Sequence, residues 1–97
     1  MSELEPEKQK LAIEPPKLHG VKIVNDSYTD AQFVVELLSI VFQLDDETAN
    51  AKMLEIHNSG SVILGEFTKD VALSKCKQIH TIARKYEFPL RSEAVPL

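Results

Sequence analysis

The sequence predicts an α+β domain: a small sandwich in which a three-stranded antiparallel sheet packs against three helices, in the order β-α-α-β-α-β. Three observations carry that reading. Short apolar runs rich in β-branched residues, at Val21–Val24 and Ser61–Phe67, suit strands. Longer stretches between and after them carry apolar residues at helical spacing. Turn and cap residues stand at each junction.

The elements follow in order. Residues 1–16 read as a flexible tail: Met1–Glu14 is polar and rich in Glu and Lys, and Pro15-Pro16 marks where the domain, 17–97, begins. In the first strand Val21, Ile23 and Val24 suit a pleated surface, and Asn25, Asp26 and Ser27 then form a turn. Thr29 followed by Gln32 matches a capping box, which predicts a helix over Asp30–Phe42. Only Gln32, Glu36, Ser39 and Gln43 interrupt its apolar surface, so this helix should be buried on most sides. A second helix should start at Asp45 or Asp46, where carboxylates meet the positive end of the helix dipole. It should end near Asn58, with Gly60 supplying the left-handed exit. Ala49, Met53 and Ile56 form its apolar face, and His57 lies one turn beyond Met53. After the strand Ser61–Phe67, Thr68 should cap a third helix reaching about Tyr86, with the stripe Ala72, Cys76, Ile79, Ala83 and Tyr86. Pro89–Glu93 reads as a short last strand, since proline is tolerated at a strand start or edge.

Composition narrows the function. The chain's 97 residues allow one core with little to spare. Eleven basic residues against fifteen acidic ones give a formal charge of −4, which disfavours nucleic acid as a partner. No apolar run approaches a membrane span, and Glu3, Glu5 and Glu7 leave no apolar signal-peptide core. A single cysteine, Cys76, fits a reducing compartment, and the expected location is the cytoplasm. Cys76 lies within a helical apolar stripe and reads as an inert core thiol rather than a nucleophile. His19, His57 and His80 lack metal-ligand spacing, and Gly20, Gly60 and Gly65 form no phosphate loop. No metal or cofactor is expected. Asp45, Asp46 and Glu47 are explained by helix capping without invoking acid catalysis.

Taken alone, His57 reads as a packing histidine and Asn25-Asp26-Ser27 as turn chemistry. Brought together by the fold, they would change character. Asn25, Asp26 and His57 would offer an amide oxygen, a carboxylate and an imidazole nitrogen, three acceptors for an ammonium group with three donors. Val34, Met53 and Ile56 would add an apolar wall. Such a site suits a free α-amino group followed by a bulky apolar side chain.

These residues resemble the ClpS family of adaptor proteins, which recognise N-degrons for AAA+ proteases. The resemblance rests on Pro15-Pro16, Val24-Asn25-Asp26-Ser27-Tyr28-Thr29, Phe33-Val34, Ala49, Met53, His57, Gly60 and Pro89-Leu90, in family order and spacing from about Pro15 to Glu93. It implies an adaptor, without catalysis, that binds proteins with a free N-terminal Phe, Tyr, Trp or Leu and delivers them to a Clp unfoldase. Asn25, Asp26 and His57 would hold the α-amino group, Asp26 partly through water. Ala31, Val34, Met53, Ile56 and Leu90 would line the side-chain pocket. Tyr28, Thr29, Asp70 and Lys75 would dock the N-terminal domain of a ClpA-type unfoldase, with the adaptor acting as a monomer. The tail up to Glu14 matches the family's mobile N-terminal extension, which influences substrate transfer.

The chain departs from the family pattern at several positions. Ser27 replaces a second aspartate, Asp30 the usual proline, Ala31 the usual methionine and Gln32 a common glutamate, and Asn58-Ser59 stands before Gly60. These changes bear on substrate preference and fit a divergent paralogue. Two other readings compete with the adaptor. A small enzyme could use His57 and Asp26 as a base pair, but no nucleophile, metal set or cofactor motif accompanies them. A ribosomal stalk-type docking module of the same fold would need no Asn25-Asp26-His57 pocket.

Overall fold

The computed structural model describes residues 15–97, so all but the last two residues of the expected tail lie outside the described residues. The elements are β1 (His19–Val24), α1 (Ala31–Phe42), α2 (Asp46–Ser59), β2 (Ser61–Phe67), α3 (Lys69–Lys85) and β3 (Arg91–Pro96). Their order matches the expected β-α-α-β-α-β. The sheet is antiparallel with β1 in the middle, in the order β2-β1-β3. No helix among the described residues is long and apolar enough to cross a membrane.

One face of the sheet makes the core. Val21 and Ile23 are fully buried, and they pair with Leu64 and Val62 on one side and with Ala94 and Ser92 on the other. Side-chain alternation therefore turns this set towards the helices. Val34, Val35, Leu37, Leu38 and Val41 of α1, Ala49 and Ile56 of α2, and Ala72, Cys76, Ile79 and Ala83 of α3 join it in one cluster. Deleting a large side chain from such a core typically costs about 2–5 kcal/mol.

Five details differ from the sequence expectations. Asp30, not Thr29, caps α1: its carboxylate accepts from the Phe33 amide at 3.1 Å. Thr29 is held in the preceding turn by Asp26, and a carboxylate suits the positive end of the helix better than a hydroxyl. Thr68 stands at the cap position of α3 but makes no side-chain cap bond. Tyr86 ends α3 outside the buried stripe and is 57 % exposed, its ring tilted against Phe33 at 5.6 Å. The last strand starts two residues later than expected and runs on to Pro96. Before it, the chain turns through Glu87 (φ 64°) and the Phe88 amide returns to the Ala83 carbonyl at 2.8 Å, so Pro89 and Leu90 close the helix rather than open the strand. Along α1 the polar stripe is also wider than expected, because Ile40 is 60 % exposed.

Two glycines are required by geometry. Gly60 ends α2 at φ 93°, and its amide donates to the Ile56 carbonyl at 2.9 Å. Gly65 has φ 82° beside the register shift between β1 and β2, and a Cβ there would collide with the Phe67 ring.

Candidate functional site

The site forms where β1 ends and α2 ends. Antiparallel pairing sets Val24 opposite Ser61, which brings the turn after β1 beside the exit of α2. The Asn25 amide then donates to the Gly60 carbonyl at 2.9 Å. His57, one turn before Gly60, is thereby carried to Asn25 and Asp26 although more than thirty residues separate them in sequence. The strand, the turn and the left-handed glycine together place the imidazole.

A hollow of about 420 Å³ opens there, lined by Asn25, Asp26, Ser27, Thr29, Ala31, Val34, Met53, Ile56 and His57. That volume lies in the usual range for small-ligand sites. Asn25 and His57 are exposed and Asp26 is half-buried, so the polar groups stand at the opening. Val34 and Ile56 are buried and Met53 is half-buried, which makes the wall apolar. Ala31, in the first turn of α1, is exposed at the rim.

The Asp26 carboxylate organises its own loop. One oxygen accepts from the Tyr28 amide at 2.7 Å and the Thr29 amide at 2.8 Å. The other accepts from the Thr29 hydroxyl at 2.7 Å. Partial burial pushes its pKa up, but these three hydrogen bonds outweigh burial and hold the carboxyl below the usual range. Asp26 is therefore a fixed negative charge. Three of roughly four acceptor positions on a carboxylate are occupied, which leaves room for one more donor.

Seven of the eight residues expected to bind ligand converge on this hollow. The exception is Leu90, which is buried in the core and lines a different hollow with Phe88 and Pro89. Ser27 and Thr29 line the site although neither was assigned to it; their adjacency to Asp26 in sequence is the signal that points to them. The residues expected to dock a partner lie on the Asp26 loop and on α3. Tyr28 projects from the Asp26 loop and is 79 % exposed, whereas the Thr29 hydroxyl is committed to Asp26. Asp70 is exposed in the first turn of α3. Lys75 is half-buried: its ammonium donates to the Val41 carbonyl at 2.9 Å and lies 5.7 Å from the Phe42 ring centroid and 5.4 Å from that of Phe67.

Other features are plain structure. Cys76 is buried; burial pushes its thiol pKa up, a Ser92 hydrogen bond opposes this and the nearby Glu93 charge adds to it. That environment opposes the thiolate. Among the described residues no group of His, Cys, Asp and Glu could hold a metal ion. A larger, more open hollow of about 680 Å³ lies between α3 and β3, with Leu73, Cys76 and Ala94 on its walls and Lys77, Arg84 and Glu93 among its polar groups. Its acceptors, among them Glu93, His80, Thr81 and Ser92, stand beside the cations Lys77 and Arg84, which disfavour an ammonium ligand.

Known proteins share both the sequence and the fold. Residues 14–93 match the family model for the ATP-dependent Clp protease adaptor protein ClpS. The ClpS adapter of Vibrio cholerae serotype O1 is 42 % identical over 84 residues, 87 % of this chain and 79 % of that protein. The ClpS adapter of Neisseria gonorrhoeae is 42 % identical over 77 residues, 79 % of this chain and 74 % of that protein. The structure of Agrobacterium tumefaciens ClpS2 bound to L-phenylalaninamide superposes with a TM-score of 0.83 at 31 % identity, over 86 % of this chain and all (100 %) of that one. The chain belongs to the ClpS family of ATP-dependent Clp protease adaptors.

Proposed function

We propose that the chain is a non-catalytic, monomeric adaptor of the cytoplasm that binds proteins through a free N-terminal Phe, Tyr, Trp or Leu and passes them to a ClpA-type unfoldase. The observation that carries this reading is the meeting of three acceptors and an apolar wall in one hollow. Asn25, Asp26 and His57 match the three donors of an α-ammonium group. Ala31, Val34, Met53 and Ile56 match a bulky apolar side chain. The ClpS2 relative was solved with phenylalaninamide, whose free amine and blocked carboxyl make it the chemical equivalent of a peptide's first residue. Tyr28, Thr29 and Asp70 are the proposed contacts to the unfoldase's N-terminal domain. Leu90 and Lys75 act in this reading by supporting the fold, because one is buried in the core and the other is committed to the end of α1.

The test is fluorescence anisotropy with labelled peptides that begin with Phe or Leu, free or N-acetylated. Burying the side chain contributes about 1.5–3 kcal/mol. Each charge-assisted bond to the ammonium contributes about 1.5–3 kcal/mol before desolvation. Acetylation removes the charge and two donors while leaving the side chain in place, so binding should nearly vanish. Equal affinity for free and acetylated peptides refutes the reading.

A further inference from the structure

A second hollow, of about 200 Å³, abuts the first and is lined by Val24, Asn25, Asp26, Pro89 and Arg91. Asn25 and Asp26 belong to both, so they form a ridge with one hollow on each side. Arg91 opens β3 directly opposite Val24, the last residue of β1. Strand pairing therefore fixes its backbone at the edge of the ridge.

The surrounding charges leave the Arg91 guanidinium uncommitted. Arg91 is exposed, and among the described residues it forms no ion pair. Glu93 shares its face of β3 but stands directly opposite Lys22 of β1. The Asp26 carboxylate accepts from the Tyr28 and Thr29 amides and the Thr29 hydroxyl, and its remaining acceptor position is the one given to the substrate's ammonium in the proposed reading. The second hollow thus presents a cationic, planar fork beside a proline wall. That chemistry fits a carboxylate.

We propose that this smaller hollow receives the side chain of the substrate's second residue, and that Arg91 makes it favour aspartate or glutamate there. The inference rests on the proposed placement of the first residue. In an extended peptide, consecutive Cα atoms are about 3.8 Å apart, and successive side chains point in opposite directions. A peptide lying over Asn25 and Asp26 with its first side chain in the larger hollow directs its second across the ridge, towards Arg91. A carboxylate there also shields the substrate's ammonium from the guanidinium, a repulsion that a neutral or basic second residue leaves in place.

The experiment compares free-amino peptides that begin Phe-Glu, Phe-Gln and Phe-Lys, otherwise identical, on the wild-type chain and on Arg91→Gln and Arg91→Glu. At low salt the Glu peptide should bind about two- to fivefold more tightly than the Gln peptide, the range of an exposed ion pair. The Lys peptide should be weakest, and the differences should shrink as salt rises. Arg91→Gln should abolish the preference and Arg91→Glu should reverse it, with the Gln peptide still bound by all three proteins. A Glu-to-Gln ratio near one, or one that neither substitution alters, overturns the subsite while leaving the first-residue pocket standing. Failure of every free-amino peptide to bind overturns the pocket and the subsite together.

Discussion

Asp26 is the residue on which the site turns. It gives the pocket its negative charge and, with the same carboxylate, ties down Tyr28 and Thr29. Asp26→Ala should lower stability by about 1–3 kcal/mol through loss of charge-assisted bonds, and should also disorder the ligand site. The sign of its pH dependence follows from its depressed pKa. The contribution is complete above the ordinary value of 3.8 and is lost only as pH falls through the lower, folded value. Urea unfolding should therefore show the full gap between wild type and Asp26→Ala at pH 7 and at pH 5, closing only in stronger acid; a gap already closed at pH 5 contradicts the assignment. In the proposed reading Ala31 bears on selectivity rather than charge. It stands exposed on the rim of the hollow, where the family pattern has methionine, and would leave room beside the Cβ of a first residue bound there. Relieving a steric clash recovers about 1–3 kcal/mol, whereas each lost methylene contact costs about 0.8 kcal/mol. Ile- and Val-initiated peptides should thus be admitted along with Phe and Leu, and Ala31→Met should lower the Ile-to-Leu affinity ratio. An unchanged ratio removes residue 31 from the gate.

At the level of elements, the reading succeeded where a local pattern had a local cause. The Asp45 cap on α2, the left-handed Gly60 and the buried stripe Ala72–Cys76–Ile79–Ala83 all depend on neighbours within a turn or two. It failed where a distant partner decides. Thr29 and Gln32 matched a capping box, but Asp26 captured Thr29 first. The limits of β3 are set by its register against β1, from Val24–Arg91 to His19–Pro96, which no local propensity encodes. Lys75 belongs to the same class. Nothing in its own helix reveals that it reaches back 34 residues to the carbonyl of Val41, near the C-terminal end of α1. Lys75→Met keeps the stem and removes that bond, so it should destabilise the fold by about 1 kcal/mol while leaving peptide affinity unchanged. A stability equal to wild type in thermal or urea unfolding would show that the bond contributes nothing. It follows that a charge reversal at Lys75 tests folding and docking at once, and the cleaner docking variant is Tyr28→Ala.

For the whole molecule, the pocket was legible as a list of residue types before it was legible as a place. Asn25, Asp26 and His57 could be named as acceptors from sequence, and their meeting depends on β1–β2 pairing and the Asn25–Gly60 bond. Leu90 is buried and lines a different hollow, a position that order in the chain does not reveal. The proposed reading separates two tasks. The Tyr28 side chain is exposed, is not part of the hollow's lining, and its backbone amide donates to Asp26. Tyr28→Ala should therefore abolish unfoldase binding and leave peptide affinity within about twofold, as expected for a surface change off the ligand contacts; parallel loss of both activities in a folded variant would show the surfaces to be one.

The central claim is that the ligand site is the hollow between the Asp26 loop and the end of α2. Its most direct test is a titration of the isotopically labelled chain with phenylalaninamide, followed by backbone amide resonances. The account predicts saturable shifts at Asn25–Thr29, Ala31, Val34 and Met53–His57, with Leu73, Cys76 and Ala94 unmoved, and no response to N-acetyl-phenylalaninamide. Shifts centred on the larger hollow between α3 and β3, or identical responses to the free and acetylated ligands, would contradict it.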